Sequence, residues 1–152
     1  MNAIQRFVVL GLLFIAIFFT ALIVLEGIEG YQITTTEYYG LRNLGVLIYI
    51  LSLILGFGHY ILAFYVVILS PITWLLRKYV RFLAVRTIIY ICGFGWGGLL
   101  IFDQVYSPYF VKGYQLNRMT SVWLFAIAGV VYAIVECKVW RRGQMQNEQK
   151  AT

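Results

Sequence analysis

The sequence predicts an all-α integral membrane protein, a four-helix bundle of polytopic type with short loops and no soluble domain. Three observations predict it. The 152-residue chain is 62% hydrophobic and 12% charged, against roughly 45–50% and 25% in soluble domains. Its charges are gathered so that long uncharged gaps separate them. The stretches left between and beyond the gaps run only 12 to 16 residues, far below the roughly 40 at which a chain begins to fold alone. A water-soluble monomer is excluded because that much apolar surface cannot be hidden at this size. The chain's 27 aromatic residues exclude disorder, and two prolines and two cysteines exclude collagen-like and disulfide-framework classes.

The gaps place the helices. A bilayer core about 30 Å thick and a rise of about 1.5 Å per residue require roughly 20 uncharged residues per crossing. Between Arg6 and Glu26 lie 19, predicting a first span over about 5–26. That run exceeds the roughly 7–15 residues of a cleavable signal's apolar core and leads into LEGIEG without a small-x-small site, so it is read as a retained helix. Between Arg42 and Arg77 lie 34 residues interrupted only by His59. They would make roughly 50 Å of helix, too long for one crossing and too short for two. Pro71 lacks an amide hydrogen and disfavours helix at Ser70, so the second span is predicted over about 43–69. The following segment, 71–83, is predicted to lie along the inner membrane surface, with Arg77, Lys78 and Arg81 among Trp74, Tyr79 and Phe82. Sixteen uncharged residues between Arg86 and Asp103 predict a third span over about 84–103, and seventeen between Arg118 and Glu136 a fourth over about 119–140. The tail 141–152 is polar and is expected to fray.

Orientation follows from the basic residues. The N-terminus, the 70–86 connection and the C-terminal stretch carry nine Lys and Arg; the opposite side carries Arg42, Lys112 and Arg118. Nine against three predicts a multi-pass protein of the cell membrane with both termini cytoplasmic. The formal charge of +6 is then accounted for by topology and by anionic lipids of the inner leaflet, with no reason to invoke nucleic acid. Tyrosines 31, 38, 39, 106, 109 and 114 suit an aromatic belt at the outer interface.

Because lipid supplies no hydrophobic drive for association, helices meet through small residues and hydrogen bonds. In the second span Gly45, Tyr49, Ser52, Gly56, His59, Ala63, Val66 and Ser70 recur at alternating three- and four-residue spacing, which marks one face. Arg86, Tyr90, Gly93, Gly97, Leu100 and Gln104 do so in the third span, and Val122, Ala126, Gly129, Ala133, Glu136 and Trp140 in the fourth. These stripes predict Gly56, His59, Gly93, Gly97 and Gly129 as helix-packing positions. The segment GFGWGG satisfies the G-x-G-x-x-G dinucleotide pattern, yet that pattern works only between a strand and a helix; in a span it reads as helix contact through Gly93 and Gly97.

Chemistry-bearing groups are few. His59 falls near the midplane, where an ionisable group serves as a relay, a ligand or an interhelical hydrogen-bonder. It is the chain's one histidine, so a multi-histidine metal site within one chain is excluded. Arg86 and Glu136 occupy similar depths on comparable faces and are expected to form an ion pair. Cys92 and Cys137 are 45 positions apart without a C-x-x-C spacing and are read as small apolar packers. The glutamates of the first outer loop are read as solvated, since EF-hand spacing is lacking. No cofactor is expected, and no nucleophile–base or paired-acid set points to an enzyme. The sequence favours a non-enzymatic helix-packing component, such as a partner subunit, regulator or immunity-type protein, whose partner is a second copy or another membrane protein. The alternative is a small oligomeric transporter or channel using His59.

Overall fold

The computed structural model describes residues 2–30, 46–80, 82–106 and 108–148, which form helices and no strand. Helix α1 covers Ala3–Leu25 and runs on as a π-helical stretch, Glu26–Gly30. Its first turn is closed by the Asn2 backbone N–H donating to Gln5 Oε1 at 3.0 Å, which satisfies one of the amides a helix start leaves open. Helix α2 (Val46–Phe64) passes through a second π-helical stretch, Tyr65–Leu69, into α3 (Ser70–Tyr79). Helix α4 covers Leu83–Val105, α5 is the short Pro108–Gly113, and α6 runs over Arg118–Glu148. Gln115, in the left-handed region at φ 52°, turns the chain between α5 and α6, and Asn117 Oδ1 caps α6 by accepting the Met119 N–H at 3.0 Å.

Four helices are long and apolar enough to cross a bilayer: Ile4–Gly30, Ile54–Tyr79, Leu83–Val105 and Arg118–Arg141. The architecture is an all-α four-helix bundle. Large apolar side chains such as Leu55, Ile88 and Trp123 project outward, as a hydrocarbon solvent permits.

Two sequence expectations change. Pro71 does not end the second span: Phe64, Leu69 and Ser70 all keep right-handed helical angles, and the helix continues to Tyr79. The preceding π-helical turn explains this. It shifts the hydrogen bonding by one residue, so that the Ser70 N–H bonds Tyr65 O, and moves aside the backbone that a proline ring would strike. The 71–79 portion consequently packs on the bundle, with Thr73 buried and Arg77 half-buried. Likewise α6 continues through Glu148 where a frayed tail was expected.

Helix α6 is the centre of the bundle. It packs most extensively along α4 and next along α1, while α2 leans more lightly on α1. Two clusters form the core. One, near the end bearing Arg77 and Arg86, includes Leu10, Phe14, Tyr65, Tyr90 and Tyr132; the other, toward the end bearing Glu26 and Asp103, includes Leu25, Phe102, Tyr106 and Phe125. The first is the basic end of the bundle and the second the acidic end.

Candidate functional site: a buried ion cluster beside an apolar cleft

The basic end holds a charged knot. Glu136 of α6 is fully buried. Arg86 Nη1 of α4 donates to both its oxygens, at 3.2 Å to Oε1 and 3.4 Å to Oε2, and Arg77 Nε of α3 donates to Oε1 as well. The structure therefore brings Arg86 to Glu136 and adds Arg77, which the sequence suggested as an interfacial base, as a second partner. The Arg77 and Arg6 guanidiniums lie over the Trp140 ring, 4.1 and 4.8 Å from its centroid. One carboxylate thus faces two guanidiniums. Arg86 has only 9% of its side chain exposed, and its Nε finds no acceptor among the described residues.

A hydroxyl cluster adjoins the ions. Tyr90 OH donates to Thr73 Oγ1 at 3.2 Å, and Thr73 Oγ1 lies 3.3 Å from Tyr132 OH. Three helices are joined through one threonine. Tyr65 OH donates to Phe7 O at 2.7 Å, tying the second span to α1. Thr73 and Tyr132 were not legible as site residues. The available signal for Thr73 was its place one turn before Arg77, masked by reading 71–83 as a surface segment.

The packing glycines divide. At Gly129 an added Cβ would meet Tyr90 O at 2.7 Å, so α6 approaches the α4 backbone there. At Gly56, Gly93 and Gly97 it would meet nothing within 4 Å, so no close contact among the described residues involves them. The close approach on α4 is instead at Gly98, whose Cβ would lie 2.8 Å from Ser121 O and whose carbonyl accepts Ser121 Oγ at 2.7 Å. The buried face of α4 runs through Arg86, Tyr90, Gly95, Gly98 and Phe102, facing α6 residues that include Ser121, Phe125, Gly129 and Ala133. Past Tyr90 it lies one to two residues beyond the alternating three- and four-residue stripe, which runs through Gly93 and Gly97. His59 is exposed, its ring 3.9 Å from that of Tyr60. Lys78 is exposed, with Nζ 5.4 Å from the rings of Trp74 and Tyr79. Arg81 and Gly45, and the side chains of Tyr49 and Ser52, lie outside the described residues.

Gly93 and Gly97 open onto a cleft between the second span and α4. Its volume is about 680 Å³. Phe57, Tyr60 and Phe64 form one wall, Gly93, Trp96 and Gly97 the other, and Phe14 lies at its floor. Ile72, Ile89 and Tyr90 bound it toward the basic end, Gln104 and Val105 toward the acidic end.

At the acidic end Tyr106 OH donates to Glu26 Oε2 at 2.6 Å, and the Asn117 N–H to Glu29 Oε2 at 2.9 Å. Glu29 is buried, which corrects the solvated reading for that residue: its carboxylate anchors the turn before α6. Arg118 and Asp103 pair at 3.3 Å with both side chains about half exposed. Cys137 is half-buried, but Cys92 is exposed on α4 and does not pack inside the chain. Chemically, the basic end offers fixed donors to an anion, and the cleft offers an apolar channel. No known protein family, curated protein or solved structure matches the chain.

Proposed function

We propose that the chain is a non-enzymatic multi-pass component of the cell membrane, with both termini cytoplasmic, that works by lateral contact with another membrane-spanning helix. A partner subunit, a regulator and an immunity-type protein all act this way. The observation that carries this reading is the exposed face of Gly56, His59 and Ala63 on α2. Phe14 stacks on Phe64 and Tyr65, which puts His59 roughly one turn toward the acidic end from the level of mid-α1. An imidazole facing hydrocarbon there costs a few kcal/mol without a hydrogen-bond partner, and small residues on either side let a second helix come close enough to supply one.

His59 also supports the second reading, an oligomeric transporter or channel in which copies bring their imidazoles to a shared axis. One pair of measurements separates them. A photoreactive residue at Gly56 should crosslink to a polypeptide in native membranes, whereas the same residue at the outward-facing Trp123 should label lipid alone. If both positions label only lipid, the contact reading fails. Ion flux in liposomes that exceeds the empty-vesicle rate and disappears in His59→Ala would establish the transport reading in its place.

A further inference from the structure

We infer that the cleft between the second span and α4 is a binding site for one anionic phospholipid, with acyl chain in the cleft and phosphate at the guanidiniums of Arg77 and Arg86. The site lies roughly a third of a turn around α2 from the Gly56–His59–Ala63 face, and it does not depend on that face being a contact.

Charge points to the headgroup. Glu136 accepts from both Arg77 and Arg86, so a single negative charge faces two positive ones in a buried setting. Arg86 is nine-tenths buried with Nε unpartnered among the described residues. An uncompensated guanidinium in low dielectric is costly, and an anionic oxygen relieves it. Guanidinium is also the side-chain group whose planar donors match phosphate oxygens.

Shape points to the chain. The cleft starts at the same end: Ile72 and Tyr90 line it and stand about one turn from Arg77 and Arg86 along their own helices. From Tyr90 to Gln104 it follows α4 for roughly 21 Å, more than the roughly 15 Å of hydrocarbon in one leaflet. An unbranched acyl chain suits an opening that long and lined chiefly by apolar side chains. The missing side chains of Gly93 and Gly97, where a Cβ would meet nothing within 4 Å, keep that wall open.

The test uses the full chain in neutral detergent, titrated with phosphatidylglycerol or with phosphatidylcholine of identical chains, while the thermal unfolding midpoint is followed. Phosphatidylglycerol should raise the midpoint by several degrees and saturate at one lipid per chain, and phosphatidylcholine should leave it nearly unchanged. Gly93→Leu and Gly97→Leu should keep the lipid-free midpoint and lose the rise, and Arg77→Gln should lose the preference between the two lipids. An equal rise with both lipids in the parent overturns the site, as does a phosphatidylglycerol effect that survives both leucines. Conversion of an oligomer to a monomer by either leucine overturns it too, by assigning the cleft to a second copy. Should the leucine variants not fold, native mass spectrometry of the parent decides: retention of one phosphatidylglycerol per chain supports the site, and retention of none overturns it.

Discussion

Glu136 is the residue on which the basic end turns. Fully buried and shared between Arg77 and Arg86, it holds apart two cations that would otherwise face each other across α3 and α4. Glu136→Gln should therefore lower stability in detergent by about 3–5 kcal/mol, the cost of orphaning buried charge. Arg77→Gln and Arg86→Gln should each cost less, because the other arginine remains. Removing both should cost more than the two single losses together, a coupling that thermal unfolding of the three variants measures; simple additivity would mean that Glu136 does not share its partners. The glycines give a second comparison. Gly129→Ala places a methyl 2.7 Å from Tyr90 O, a backbone atom that cannot step aside, and should destabilise by about 1–3 kcal/mol. Gly97→Ala meets nothing and should be neutral or stabilise by up to about 1 kcal/mol. A reversed order of midpoints would reverse the assignment of the α4 packing face. The pairing of Arg86 with Glu136 was readable from charge depth alone. Arg77 was not, since its own segment was expected on the surface.

Among the elements, the charge gaps located the first, third and fourth spans closely, because desolvating a charge in hydrocarbon is costly enough to override local propensity; the second runs on past Arg77 to Tyr79. Proline was a poorer guide. Its rule presumes an α-helical neighbour, and the Tyr65–Leu69 turn removes that premise by bonding Ser70 to Tyr65. The continuation matters because it carries Thr73 to Tyr90 and Tyr132. Thr73→Val strips the hydroxyl from both tyrosines and should cost about 1–3 kcal/mol, while Thr73→Ser retains it and should cost little beyond a methyl. Equal losses in the two variants, read from thermal midpoints, would show that methyl packing and not the hydroxyl joins these helices. The α4 stripe shows a different limit. Arg86 and Tyr90 begin both the stripe read from the sequence and the buried face, which then shifts to Gly95 and Gly98, so the sequence alone could not choose Gly98 over Gly97.

For the whole molecule, the nine-to-three division of basic residues predicts the sidedness of the bundle. Reporters active only outside the cell should be silent when fused after Arg81 or Arg142 and active after Lys112. Activity at either of the first two sites would invert the protein, and with it the leaflet that supplies a lipid to Arg77 and Arg86. The cleft itself was not legible in the sequence. Each helix announces its own faces through periodicity, but an opening is a relation between two helices that fail to meet, and no pattern within α2 or α4 records it.

The distribution of ties along the second span has a mechanical consequence. Its described hydrogen bonds and ion pairs to the other spans are made at Tyr65, Thr73 and Arg77, all in the half toward Tyr79. A beam clamped at one end deflects most at the other. A change in bilayer thickness that loads the helix should therefore displace the Ile54–Phe64 portion more than the Tyr79 end. Spin labels should register it as a broader distance distribution between positions 54 and 123 than between 75 and 138. The cleft, bounded by that beam on one side and by α4 on the other, would widen and narrow with the thickness of the membrane around it.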